Sequence, residues 1–417
     1  MKFKINKNYI SILLNIVFLI FSLTFLVDSG LHRLCIYLAT LLWLIEGDFK
    51  KKFNQLYEQK IILIYLLIIC CFLFSLTFLS SSIENGFWYN KNPNGYYYIL
   101  NKPIQFFLMA IFISTSLKKE YRFFLMIGFL FQVTYLSICS YLVYFNFIDL
   151  GIRELIYMHK NNFAVALLLG ISVAYYFFTI SRYYILNFLL LFLVLLFSHN
   201  IFISGSRIGL LILVVFYTFL ILNYMFKNNM IKMKNIIILF SSLFLIIFLL
   251  LNFNNRIIIG KNNFLKTFND GNYSTPIGIR IGLNLVSLEL LLGDMNNFLL
   301  GLGMGDTKTK FEKYILENDR NKLIIVREPH VHNQYFQIWM DGSIIALLLY
   351  LVFLYILIKI RVEEGIKNFK YLAILIFIFL GVSTIFYNNV RYLGLLSFAI
   401  GIILSSNNEF KNKIINT

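Results

Sequence analysis

Charge is scarce in this 417-residue chain: Asp, Glu, Lys and Arg together make up 14% of it. A soluble domain carries about 25%. With 59% hydrophobic residues and a mean hydropathy of +0.76, too little polar surface remains to face water. That excludes a soluble globular enzyme, a disordered chain and a fibrous protein. Acidic residues are scarcest of all, 20 against 37 Lys plus Arg, for a net charge of +17. In a soluble domain such an excess points to a nucleic-acid partner. In a membrane protein it can record topology alone. Cysteine is limited to Cys35, Cys70, Cys71 and Cys139, each inside an apolar run and without metal or redox spacing. They read as small hydrophobes, not as a disulfide framework. There is no internal repeat of 20–50 residues.

What is present is apolar sequence, in twelve runs: 9–27, 34–47, 61–79, 103–117, 123–145, 163–180, 184–198, 208–226, 235–252, 338–358, 371–387 and 392–406. A helix needs about 20 residues to cross the hydrocarbon core, so 34–47, 103–117 and 184–198 are short. The first run is not followed by a small-residue cleavage site and reads as a span, not a signal peptide. Twelve spans put both termini on one side. Counting alternate loops from the N-terminus, 20 Lys and Arg fall on that side and seven in the short loops opposite. Positive charge stays inside, so both termini are expected in the cytoplasm. The cytoplasmic side then carries +13 and the outer side +4. Most of the excess is orientation, and no nucleic-acid surface is implied. The expected fold is an all-α integral membrane protein of about 12 transmembrane helices. Residues 1–252 form a nine-helix region, 253–337 a large periplasmic loop containing short helices, and 338–417 a three-helix C-terminal region. Extramembrane segments of that length usually have work to do.

Candidate chemistry gathers on the outer side. His330-Val331-His332-Asn333 stands where the long loop meets the tenth span. A His there can act as a base at neutral pH. It can equally belong to a loop pair capping a helix, while His-x-His without a third ligand is weak evidence for zinc. Ser204-Gly205-Ser206-Arg207 opens the eighth span, Arg280 follows TPIGI in the loop, Arg391 stands in the turn YNNVR, and Arg153 in GIREL is a weaker candidate. Each Arg alone reads as an interface residue. Together they stand on the side that topology leaves poor in cations. Guanidinium also matches phosphate oxygens bidentately. A His and several Arg at the outer face suit transfer from a lipid-diphosphate donor. The Arg would take up charge on the departing diphosphate, and His332 or His330 would accept the proton of a sugar hydroxyl.

Those residues carry a resemblance. EPHVHNQYFQIWMDGSIIALLLYLVFL resembles the His-Asn signature that ends the large periplasmic loop in the O-antigen ligase and polymerase superfamily. ISGSRIGLLILVV resembles its Ser-x-Ser-Arg entry into a membrane helix, GIRIGLNLVSLELLLGDMNNFLLGLGMGD its Arg-led loop helix, and NNVRYLGLL a C-terminal Arg turn of ligases. The motifs cover roughly residues 200–400. The resemblance implies a metal-independent, inverting glycosyltransferase of the bacterial inner membrane, without a cofactor. It would move a glycan from undecaprenyl diphosphate onto lipid A–core. His332 would be the base, Arg207 and Arg280 would bind the diphosphate, and Arg391 would assist. His330 has a counterpart only in some members, and Glu328-Pro329 matches no part of the pattern. The Arg turn and modest loop favour a ligase over a polymerase, which joins carrier-linked repeat units. A transporter or flippase is disfavoured, because ionisable residues avoid the span centres.

Overall fold

A chain in hydrocarbon must satisfy its backbone polar groups internally, so long apolar runs fold as helices. The computed structural model describes residues 7–27, 29–79, 95–145, 147, 160–227, 255–318, 331–382 and 390–415, and among them there is no strand. The helices are α1 (Lys7–Thr24), α2 (Ser29–Glu46), α3 (Phe49–Glu58), α4 (Lys60–Phe74, continued by a π-helical turn, Ser75–Leu79), α5 (Gly95–Ser116) and α6 (Lys119–Tyr144). There follow α7 (Lys160–Ile180), α8 (Tyr184–Ser204), α9 (Arg207–Lys227), α10 (Asn255–Asp270) and α11 (Pro276–Gly293). The last are α12 (Met295–Leu300), α13 (Thr307–Glu317), α14 (Gln334–Lys359), α15 (Glu364–Gly381) and α16 (Val390–Ile415).

The protein is an all-α membrane protein. Among the described residues, eight helices are long and apolar enough to cross a membrane: α1, α4 with its π turn, α6, α7, α8, α9, α11 and α14. This differs from the expected twelve in two ways. First, α2, α5, α15 and α16 do not qualify by themselves. The apolar parts of α5 and α16 are short (Ile104–Ser116 and Arg391–Asn407), α2 holds Arg33 and Glu46, and α15 holds Glu364, Lys367 and Lys370. The run 235–252 lies outside the described residues. Second, α11 lies within the segment expected to be a loop with short helices, yet it is 18 residues long with a mean hydropathy of 1.4, the lowest of the eight.

Two hydrophobic cores divide the molecule. The larger is built by α1, α2, α4–α9 and α14–α16, with Phe25, Phe129 and Phe398 stacked at its centre. The smaller gathers Leu283, Val286 and Leu291 of α11 with Leu302, Phe311, Ile315, Val331 and Met340. The inner side of α11 is therefore spent on its own small core, beneath α12 and α13. The cores meet at a seam. Helix α14 is broken at Ser343, whose φ of 89° and ψ of 166° are essentially glycine territory. The break takes the helical partner from the Met340 carbonyl, and the Leu302 N–H replaces it at 2.7 Å. Gly301, at φ 81°, makes that approach possible, since a Cβ there would lie 2.5 Å from the Met340 oxygen. Two residues on, Gly303 sits against the Leu79 carbonyl, and Met304 N–H donates to Ser75 Oγ at 3.1 Å. The buried loop 301–305 is thus wedged between the π turn of α4 and the break in α14.

Candidate functional site

The turn from α8 into α9 is built by its own residues. Gly205 takes a left-handed conformation (φ 63°) that ends α8. Ser206 Oγ then accepts from Gly209 N–H at 3.1 Å, capping α9, and donates to Asn161 Oδ1 of α7 at 2.9 Å. Arg207 is left in the first turn of α9, exposed. Its guanidinium lies on the backbone of α10: a Cβ at Gly260 would fall 2.6 Å from the Arg207 Cζ. Helix α11 starts from an equally defined cap, with Thr275 Oγ1 accepting from Gly278 N–H at 2.9 Å and Pro276 at its start. One turn later Arg280, partly buried, comes within electrostatic reach of both Arg207 and Tyr392. Tyr392 is 2% exposed and follows Arg391 in the first turn of α16. The structure therefore places Arg207 and Arg280 within electrostatic range of each other, with Tyr392, the neighbour of Arg391, also in range of Arg280.

His332 stands at the entry of α14 in a left-handed conformation, φ 54°. Such a φ is uncommon outside glycine. It turns the chain sharply before Asn333, whose Oδ1 accepts from Tyr335 N–H (3.0 Å) and Phe336 N–H (3.4 Å) as the helix cap. The loop is held from behind as well. Val331 N–H donates to Gln337 Oε1 at 3.0 Å, and Gln337 Nε2 donates to Asp341 Oδ2 at 2.8 Å and to Thr307 Oγ1 at 3.4 Å. Asp341 and Gln337 are 4% and 3% exposed, so this is a buried polar network tied to the backbone of Val331, next to His332. The next residue after the cap, Gln334, shares with Leu393 and Ser397 of α16 the wall of an apolar cavity of about 60 Å³. Tyr335 Oη donates to the Ile378 carbonyl near the end of α15 at 3.1 Å. The His332 turn and the start of α16 are thus at one end of the bundle.

His330 and Arg153 lie outside the described residues. Among the described residues no group of three or more His, Cys, Asp or Glu gathers as metal ligands. Sequence reasoning missed Tyr392, the seat of Arg207 on Gly260, and the Gln337–Asp341–Thr307 network. Only Asp341 left a signal, as an acid in the middle of an apolar run. Comparison with protein-family models and with curated protein sequences finds no match for this chain.

Proposed function

We propose that the chain is an O-antigen ligase. It transfers a glycan from undecaprenyl diphosphate to a sugar hydroxyl of lipid A–core at the outer face of a bacterial inner membrane. The observation that carries this reading is the convergence of Arg207 and Arg280. Two guanidinium groups repel each other, and more so where water is sparse. A fixed pair at the membrane edge is suited to a polyanion such as a diphosphate. In the reaction, the acceptor oxygen attacks the anomeric carbon from the face opposite the diphosphate. The bond from that carbon to the phosphate oxygen breaks, and its electron pair leaves with undecaprenyl diphosphate. The two Arg stabilise that charge. His332 takes the hydroxyl proton and later releases it to water.

In this reading the termini are cytoplasmic, and α2, α5, α15, α16 and 235–252 complete twelve crossings. Helix α11 stays in the periplasmic segment, because its inner face serves the small core. The test is glycan attachment in a deletion strain carrying variants. His332→Ala and Arg280→Ala should each abolish transfer while membrane insertion persists; near-normal attachment in both would refute the mechanism. The gel of the deletion strain separates ligase from polymerase. Loss of a ligase leaves bare core while long carrier-linked chains accumulate, whereas loss of a polymerase leaves core bearing one repeat unit.

A further inference from the structure

A second site stands at the other end of the bundle. Antiparallel α6, α7 and α8 carry the chain back and forth, so Lys119 at the start of α6 and Arg207 after α8 lie at opposite ends. At the Lys119 end, α1, α3, the end of α5 and the start of α6 line an open cavity of about 580 Å³. That is the size of a small-molecule pocket. Five lysines and three acids line it, with hydroxyls from Ser11, Ser114 and Ser116. Two of the acids are already engaged. Glu46 Oε2 meets Lys52 Nζ and Ser116 Oγ, each at 2.7 Å, and Asp48 meets Lys7 at 2.6 Å. Lys119 reaches Glu363, outside the lining, at 3.6 Å, so Lys51 and Lys118 leave the cavity positive, with Glu120 against them. Gln55 adds an acceptor: its Oε1 is buried at the cavity wall without a hydrogen-bond partner. A buried amide oxygen without a donor is costly, and a turn of the Gln55 amide would present it to a ligand hydroxyl in the cavity.

The wall itself shows where such a ligand comes from. Helix α3 carries Phe49, Phe53 and Tyr57 at four-residue spacing, hence on one face, and they are 40%, 59% and 86% exposed. Its other side presents Lys51, Lys52 and Gln55 to the cavity. An aromatic stripe opposite a basic face is the pattern of a helix lying in the membrane interface. A helix in that position would set the cavity at headgroup level.

We propose that this cavity is a binding site for an anionic phospholipid whose headgroup carries hydroxyls. The phosphodiester is held by Lys51 and Lys118 and a headgroup hydroxyl donates to Gln55 Oε1. The site stands independently of the chemistry at the opposite face. The test is lipid retention by the purified full chain in uncharged detergent, read by native mass spectrometry. Phosphatidylglycerol should bind at least tenfold more tightly than phosphatidylcholine. Lys51→Gln with Lys118→Gln should remove most of that preference, while Lys50→Gln, on the same helix but outside the lining, should leave it intact. Gln55→Leu should weaken phosphatidylglycerol several-fold and leave phosphatidic acid, which lacks headgroup hydroxyls, unchanged. Equal retention of the two lipids, or equal loss in Lys50→Gln and the double variant, would overturn the site. Displacement of phosphatidylglycerol by millimolar glycerol phosphate would overturn the lipid assignment in favour of a soluble phosphate ester. An unaltered phosphatidylglycerol affinity in Gln55→Leu would overturn the role of the headgroup hydroxyl.

Discussion

Replacing Gly301 by Ala tests the seam between the two hydrophobic cores. The added methyl meets two backbone oxygens, of Met340 at 2.5 Å and Trp339 at 2.6 Å. Neither is the end of a flexible side chain, so the loop must lift. Lifting breaks the 2.7 Å bond from Leu302 N–H to Met340 O. That carbonyl has already lost its helical partner at the Ser343 break, and leaving it buried and unsatisfied costs about 1–3 kcal/mol. The φ of 81° and ψ of −168° at Gly301 add about 1–3 kcal/mol for any residue with a Cβ. The expected loss is therefore about 2–6 kcal/mol, at the upper end of what single substitutions do. Thermal unfolding of monodisperse protein in detergent should show a midpoint lower by about 2–7 °C for a chain of this length. Gly293→Ala is the matched control, because nothing lies within 4 Å of a Cβ there. It should be neutral, or stabilising by up to about 1 kcal/mol at a helical position. The reasoning is refuted if Gly301→Ala melts with the wild type, or if both substitutions shift the midpoint equally.

Ser343→Gly should raise the melting temperature by relieving a glycine-like conformation worth about 1–3 kcal/mol, whereas Ser343→Ala keeps the strain, loses the hydroxyl that accepts from Ala346 N–H at 3.4 Å, and should lower it. Gly260→Ala should change stability little, since the three atoms nearest the methyl are the tip of the Arg207 side chain, but it displaces that guanidinium and should cut glycan transfer at least tenfold in the strain assay. Gln337→Leu leaves the Val331 N–H without its acceptor and takes one donor from the Asp341 carboxylate, which keeps Thr307, so a loss of about 1–3 kcal/mol in thermal unfolding should accompany reduced transfer.

The helices were legible because apolar length is a strong signal in a chain with so little charge. Eleven of the twelve expected runs fall on described helices, and the Arg207 turn reads correctly as a helix entrance. The misjudged pieces share a cause: each is decided by partners distant in sequence. Helix α11 has the composition of a short span, and its packing with Phe311, Ile315 and Met340 shows where its inner face goes. Asn333 read only as the second residue of the His-Asn signature, and its side chain is occupied as the cap of α14. Gly260 gave no signal at all, because its significance is the space it leaves for a side chain 53 positions earlier. The break at Ser343 falls where Asp341-Gly342-Ser343 interrupts the apolar run, and its backbone conformation is what the sequence does not give.

That break explains how a mostly lipid-facing bundle can hold a polar site rigid. Ile338 belongs to the large core and Met340, two residues on, to the small one. The same division recurs in the glycine loop, with Leu302 in the small core and Met304 in the large. Two chain segments therefore cross the seam side by side, joined by the Leu302–Met340 hydrogen bond. A packed core does not deform continuously, so segments anchored in both cores fix one relative to the other. The His332 turn is tied to this joint through Val331, Gln337 and Asp341, with Thr307 at the start of α13 closing the network. Arg280 is mounted on α11, whose buried side forms the small core, while Arg207 and Arg391 begin helices of the large one. Convergence of groups from both cores thus depends on the seam, and a substitution at Gly301 should disturb transfer although it touches none of them.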